Sequence, residues 1–586
     1  MASDQAEYPG MVFLGVGMEV KPPVEIRLGV IRAKSRPDSF FLFAHGLTDG
    51  FKEKLFAMGF RFDAVKKGYV RPFDCDTVDR LREHPLVYDV TDNVNEQYNY
   101  EKEKIKPYPY FPSYDLRVEL FPFQKEGRDF VLKTGSCIIA DEMGLGKTPM
   151  ALAAAERWGA KCLVVTRASL LRQWETEISK FTHSTYEIIE GTPKKREDLW
   201  DSALKTPTHY AVVSYDTLKT KMDQAGAIAY IKDGGMAVYD EITMLKNYDT
   251  NRTKSVRVLK PHVTIGLTGT PYENHLDEYY QIFSLVRPGL LPPFTVYKDL
   301  FTIRTEREIR TRSGRTFKLE KIVKEINLDV LRNMVAPAMI RRLRSEVLSL
   351  PPSEPVVHRT GMSRLQREVE ALLMRGAKKH EELKLPFFTY GLENAITPGM
   401  LTPDKIPDNI DLIPLIEKLE ELEGLRASYQ EEDFYRASMT PRLAEIGAIL
   451  DEAGESKVVI YSRFVKALDF VNRLILQPRE IEPAYFTGFA RESKQFVEGN
   501  KRILLMSGAG AYGLNLQEVC HLMVLVDKPF NPAVLDQVKG RIDRIGQKSP
   551  MQYHEFDTGS LVEERAFEII RRKGDTSDIL LARGVM

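Results

Sequence analysis

Lys147 and Thr148 follow two glycines, Gly144 and Gly146, in "IIADEMGLGKTPMALAAAERW", which runs from Ile138 to Trp158. An apolar run, a glycine-bearing turn and a helical pattern bring backbone N–H groups and a helix N-terminus to one point, which suits phosphate oxygens. Lys147 is then placed to reach the β/γ-phosphates of a triphosphate, and the Thr148 hydroxyl to bind Mg2+. The usual G-x-x-x-x-G-K-[ST] pattern opens on glycine, whereas Asp141 stands in that place here. A second constellation is the acid pair that closes the apolar run "MAVYDE". Asp240 can hold Mg2+, directly or through water, and Glu241 can orient the attacking water. Either feature alone is compatible with a plain strand-turn-helix or a solvated strand end; together they point to triphosphate hydrolysis. The third is "QVKGRIDRIGQ", expected at the start of a helix, with Gln537 and with Arg541 and Arg544 on one side of a turn. Arginines delivered to the γ-phosphate from another domain stabilise charge in the transition state.

Such groups must be carried by regular elements. From Ile138 to about Pro288 the runs "CIIAD", "CLVVT", "YAVVSY", "MAVYDE" and "TIGLTGTP" alternate with helical stretches, which indicates a parallel sheet with crossover helices. The rhythm returns near Lys457 in "KVVIYSRF", "PAYFTG", "RILLMSGAGAYGLNL" and "LMVLVD". Two α/β domains are therefore expected, over residues 114–290 and 441–586, the second ending in a C-terminal tail. Residues 291–440 read as linker, basic segment and helical insertion: "RTEREIRTRSGRTFKLEKIVKE" is rich in charge with a basic excess, and "LIPLIEKLEELEGLRASYQEEDFYRA" has an acidic amphipathic pattern. The prolines of "LKLPFFTYGLENAITPGMLTPDKIPDNIDLIP" suggest irregular chain between them. Residues 1–113 form a separate small α+β module whose centre suggests helix, strand, turn, strand, helix.

The 586 residues exceed one core, and 43% apolar with 28% charged residues describes a globular protein. No signal-like N-terminus or bilayer-length apolar run is visible, so no membrane association is expected. Cys75, Cys137, Cys162 and Cys520 are scattered without metal-ligand spacing, so a reducing compartment and no zinc are expected. Zero net charge argues against non-specific coating of nucleic acid but not against a local basic groove.

In this order the motifs resemble a superfamily-two helicase-type motor, and more narrowly the Swi/Snf family of double-stranded DNA translocases. "DEMGLGKT" is similar to that family's own variant of the loop, which accounts for Asp141. "TRASLLRQWETEI", "VVSYDTLK", "YDEITMLKN", "LTGTPYEN", "MIRRLRSEVLSLPP", "KVVIYSRF", "SGAGAYGLNLQ" and "DKPFNPAVLDQVKGRIDRIGQ" match further motifs between about Leu120 and Gln547. The resemblance implies two RecA-like lobes with parallel sheets and ATP with Mg2+ in the cleft between them. It also implies that Gln124 in "LFPFQKEG" reads the adenine edge and that Gly144, Gly146, Lys147 and Thr148 hold phosphates and Mg2+. Thr268 and Thr270 would couple ATP to DNA, while Gly513, Gln537, Arg541 and Arg544 would form the second lobe's nucleotide-facing edge. Ile242 and Thr243 depart from the frequent D-E-A-H ending, and Asp543 stands where histidine is frequent; neither departure touches the residues assigned to phosphoryl chemistry.

The compact form is similar to HARP-type annealing helicases and to bacterial or phage relatives. This implies a motor on double-stranded or branched DNA, serving fork regression, branch migration, strand annealing or the remodelling of protein–DNA complexes. A strand-separating DNA or RNA helicase is one alternative, and a nucleotide-gated DNA-binding scaffold with little turnover is another. In residues 1–113, Phe60, Phe62 and Tyr69 interleave with Arg61, Lys66, Lys67 and Arg71. They suit either fork recognition or a small core with a solvated rim. Charge balance leans towards a bacterial or phage-infected cytoplasm, with the nucleus as the eukaryotic equivalent.

Overall fold

The computed structural model describes residues 116–571, except 273–274, 311–315, 349–352, 381–383, 407–411, 428–430, 509–513, 530 and 569–570. Before residue 116 it describes only the backbone of strands β1 (Met11–Leu14), β2 (Ile26–Ala33), β3 (Arg36–His45), β4 (Arg61–Asp63) and β5 (Gly68–Pro72). These pair antiparallel in the order β1-β2-β3-β5-β4. The two expected strands are present as β4 and β5, paired antiparallel, and the expected turn between them and the helices expected to flank them lie outside the described residues. The chain divides into two compact units, Met1–Glu142 with Gly146–Leu343 and Thr576–Met586, and Met143–Leu145 with Arg344–Asp575.

The first unit is built on β6 (Cys137–Ile139), β7 (Cys162–Thr166), β8 (Tyr186–Ile189), β9 (Tyr210–Ser214), β10 (Met236–Asp240) and β11 (Val263–Leu267). An antiparallel hairpin, β12 (Thr302–Arg310) with β13 (Thr316–Glu325), takes up the basic segment. The two-residue β14 (Met339–Ile340) returns to pair with β6, giving the order β14-β6-β11-β10-β7-β9-β8. Every pairing in this sheet is parallel. Continuous burial of β6, β7, β9 and β11 explains their unbroken apolar runs, since both sheet faces are covered. Parallel pairing also brings every carboxyl end to one edge, where open α/β sheets bind ligands. Because β11 lies between β6 and β10, the loops carrying Lys147, Thr268 and Glu241 are neighbours.

The second unit carries β15 (Ser353–Arg359), β16 (Val458–Tyr461), β17 (Ala484–Phe486), β18 (Ile503–Met506), β19 (Leu522–Leu525) and β20 (Met551–Asp557). The order is β15-β20-β19-β16-β18-β17, again wholly parallel. Helices Arg364–Lys379, Lys384–Ile396, Ile413–Ala427 and Glu431–Ser438 lie between β15 and β16 in the chain. Val369, Leu373, Phe387, Leu415 and Leu419 form a core of their own there.

Two expectations are corrected. The proline-bearing stretch is not irregular throughout, since Lys384–Ile396 is a helix with Pro386 in its first turn, where the missing N–H costs no hydrogen bond. And the helix near "QVKGRIDRIGQ" is Pro532–Lys539, so Arg541 and Arg544 stand in turns beyond its C-terminal end rather than on a starting helix.

Candidate functional site

The phosphate loop runs from β6 into helix Lys147–Trp158, both of the first unit, with Met143–Leu145 of the loop grouped with the second. Gly144 and Gly146 have φ of +87° and +75°, a region that L side chains rarely adopt. At Gly146 space adds a second constraint, because a Cβ would fall 2.4 Å from Gln124 Nε2. Gln124 is buried, and its Oε1 accepts from the Phe121 N–H at 3.1 Å. Its amide nitrogen is thereby turned towards the loop. The Lys147 ammonium donates to the carbonyls of Asp141 (2.8 Å) and Glu142 (3.3 Å). Burial pushes its pKa down to about 8, opposed by the charges of Asp141, Glu241 and Asp240. A cation held mainly by carbonyl dipoles at a helix start fits a phosphate. Thr148 is the next residue of that helix.

Asp141 is tied from elsewhere in the unit. Its Oδ1 accepts from Arg342 Nε at 3.1 Å, and its Oδ2 pairs with Arg342 Nη2. Both side chains are essentially inaccessible, at 0% and 2%. Arg342 also donates to the Phe123 carbonyl, and its own carbonyl accepts from the Glu142 N–H at 3.0 Å. A Cβ on Gly127 would lie 2.7 Å from Arg342 Nη2, so that glycine makes room for the guanidinium. Arg341 bridges the carbonyls of Ala140 (2.8 Å) and Gly269 (2.9 Å). Arg341 thus fastens the start of the phosphate loop to the "LTGTP" segment, while Arg342 fastens it to the Phe123 carbonyl. Sequence reasoning gave them no role, although the doubled arginine in "MIRRLR" was visible.

Asp240 and Glu241 leave the end of β10. Asp240 Oδ2 accepts from Thr166 Oγ1 and Trp174 Nε1, each at 2.8 Å, and its carbonyl accepts from the Tyr215 hydroxyl at 2.8 Å. Glu241 is left-handed at φ 50°. Its Oε1 accepts from Thr243 Oγ1 at 2.8 Å and Thr268 Oγ1 at 3.0 Å, and Thr268 Oγ1 in turn accepts from the Thr270 N–H at 3.1 Å. Burial and the adjacent Asp240 raise the Glu241 pKa, and the Thr243 hydroxyl opposes them. The departure at Thr243 therefore does touch the candidate water-orienting acid. Thr270 Oγ1 is buried with no hydrogen-bond partner among the described residues, a polar atom still open to a ligand. The loop, the cation and the acids fit a triphosphate with a divalent cation.

Restraint of Glu241 by two hydroxyls gives a direct expectation. Thr243→Val should lower kcat by roughly 10-fold with KM for ATP little changed, since a misdirected acid loses only part of a general-base contribution of about 10²–10⁴. Thr243→Ser should stay near the parent. A steady-state comparison of the two variants checks this.

In the second unit, Gln537 is buried on its helix, with Oε1 lacking a partner among the described residues. Arg541 donates through Nε to the Gln537 carbonyl (3.0 Å) and through Nη1 to the Leu514 carbonyl (3.1 Å). Arg544 Nη1 reaches the same Leu514 carbonyl at 3.4 Å and also bonds Asn515 Oδ1. Both arginines thus reach the Leu514 carbonyl from turns beyond the helix. Asp543 pairs with Arg344 at 2.8 Å. Gly513 lies outside the described residues. Among the described residues no group of three His, Cys, Asp or Glu could hold a metal, and no helix is long and apolar enough to cross a membrane.

A model of the SNF2-related domain matches residues 82–384, and one of the helicase conserved C-terminal domain matches 441–546. The chain belongs to the SNF2-related family. This SNF2-related chain is a DNA-dependent, helicase-like ATPase of superfamily two. It is 26% identical over 538 residues to the chicken (Gallus gallus) DNA repair and recombination protein RAD54-like, covering 83% of this chain and 70% of that one. It is 25% identical over 516 residues to the uncharacterized ATP-dependent helicase YqhH of Bacillus subtilis, covering 82% and 83%. The Sulfolobus solfataricus SWI2/SNF2 ATPase core, solved in complex with dsDNA, aligns with 81% of this chain and 97% of its own at 20% identity and a TM-score of 0.35. The assignment of two RecA-like lobes rests on the two parallel sheets described above.

Proposed function

We propose that the chain is an ATP-driven translocase on double-stranded DNA that remodels branched DNA or protein–DNA complexes. The observation that carries this reading is the hydrogen-bonded path from Thr270 through Thr268 to Glu241. It joins the segment expected to respond to DNA to the acid expected to act on water, so a shift in one is felt by the other. Bound ATP with Mg2+ supplies the γ-phosphoryl group and its electrophilic activation. Gln124 orients the base, Lys147 and the loop amides hold the phosphates, and Thr148 and Asp240 hold the cation. Glu241 accepts a proton from the attacking water, and Arg541 and Arg544 contribute positive charge to the transferring phosphate during turnover.

Arg544→Ala should therefore lower kcat by roughly 10²-fold or more, with ATP affinity within a few fold, because such a charge matters mainly in the transition state. A change confined to KM, measured by steady-state kinetics, would remove Arg544 from this role.

The test of the function is the ATPase rate with single-stranded, duplex, forked and four-way DNA and with RNA. Stimulation by duplex or branched DNA supports the translocase. Stimulation by single strands or RNA supports a strand-separating helicase, and no stimulation supports a nucleotide-gated scaffold. We assign choice among branched forms to residues 1–113, so a chain beginning at Ser113 should keep duplex stimulation and lose fork preference.

A further inference from the structure

Helix Arg364–Lys379 in the second unit sorts its charges unequally. Its inner face is pinned: Gln366 Nε2 donates to the Asn394 carbonyl at 2.7 Å, and Asn394 Nδ2 donates back to the Gln366 carbonyl at 2.8 Å. Val369 and Leu373 are buried beside them. One of the helix's acids, Glu370, is also turned inward, accepting from the Ser560 hydroxyl. The other, Glu368, is shared between Arg364 (2.8 Å) and Lys418 of helix Ile413–Ala427 (3.2 Å). Outward stand Arg364, Arg367, Arg375, Lys378 and Lys379, all exposed.

Among the described residues, Arg367 and Arg375 bond backbone carbonyls of their own segment, those of Met362 and Ala371. Neither they nor Lys378 has an acidic partner among the described residues. Arg367, Arg375 and Lys418 also converge from two helices on one recess of about 450 Å³, floored by Ala371 and Leu372 and bordered by Glu368. Like charges gathered on a fixed frame repel one another, and an arriving polyanion relieves that repulsion. From Arg364 to Lys378 the face spans roughly 21 Å at 1.5 Å per residue, enough to meet several phosphates of a duplex. The whole chain has zero net charge, so a DNA-dependent enzyme of this composition must draw phosphate contacts from local concentrations such as this one.

We infer that the outward face of helix Arg364–Lys379 is a contact surface for the phosphate backbone of duplex DNA, additional to the motor motifs. The inference rests on the proposed action on duplex DNA. It assigns charge, not base reading, to this surface, so affinity gained there is independent of sequence.

The experiment is fluorescence anisotropy of the full chain with a labelled duplex over about 50–200 mM salt. Arg367→Glu with Arg375→Glu should weaken binding at least 10-fold. The Gln pair should weaken it less and flatten the slope of log K against log salt by about 1.8, or 0.9 per lost phosphate contact. The Lys pair should stay near the parent. Thermal midpoints close to the parent's establish that the exposed substitutions leave the fold intact. Parental affinity and slope in both the Glu and Gln pairs would overturn the surface. So would loss of binding to a poly-glutamate peptide while duplex binding is retained. If the parent itself neither binds nor responds to duplex DNA, the function proposed above fails instead, so the two failures are distinct.

Discussion

Glu241→Gln should lower kcat by roughly 10²–10⁴-fold, the range of a positioned general base, while ATP still binds. The glutamine keeps the shape of the side chain and its bonds to Thr243 and Thr268, so the loss isolates proton acceptance from packing. Lys147→Ala should also abolish turnover by a different route, by removing the cation that holds the phosphates. A nucleotide-binding assay beside the rate measurement separates the two variants. The raised pKa of Glu241 adds a pH signature. Acceptance of a proton requires the carboxylate, so kcat should fall on the acid side at a higher pH than an ordinary glutamate would set. A near-parental rate in Glu241→Gln would remove this acid from the chemistry.

Arg342→Met should cost about 3–5 kcal/mol of stability in the first unit, the typical effect of leaving one member of a buried ion pair alone. Asp141, fully buried, would lose its guanidinium, and the Phe123 carbonyl would lose a donor. The Asp141 carbonyl also holds the Lys147 ammonium, so ATP affinity should fall along with stability. Adding Asp141→Asn to Arg342→Met should recover part of the loss, because the stranded charge is then gone. Urea denaturation followed on the first unit's own transition checks this, since a chain of two units need not unfold in one step. A loss below about 1 kcal/mol in the single variant would show that water or another cation replaces the arginine.

The parts of the site that sequence made legible are those whose chemistry is local. The loop before Lys147 needs glycines because its backbone is left-handed, and that requirement is written in the chain itself. Buried parallel strands such as β7 and β9 need unbroken apolar runs, so they too were readable. Some of the strands without a clear sequence signal are sheet edges or very short, although the interior β20 and the long hairpin β12–β13, with charged and polar residues among their apolar ones, lack it as well. β8 is an outer strand only half buried, β14 has two residues, and β15 is an edge strand containing Pro355. Arg342 was missed because its partner is 201 positions away, and no spacing rule connects them. Thr243 reads in sequence only as a departure from a familiar ending, although a hydroxyl two residues after an acid can reach back to it. The three-residue spacing of Arg541 and Arg544 suits a helix, yet a turn that points both at Leu514 satisfies the same spacing.

Motion along intact duplex DNA, driven by hydrolysis at the Lys147–Glu241 site, is the central claim, and displacement of a third strand tests it most directly. A triplex-forming oligonucleotide is bound to a duplex, and its release is followed with ATP. The parent should release the third strand without separating the duplex, and Glu241→Gln should bind the substrate yet release nothing. ATP hydrolysis with no release, or release by the Glu241→Gln chain at the parent's rate, would contradict the account.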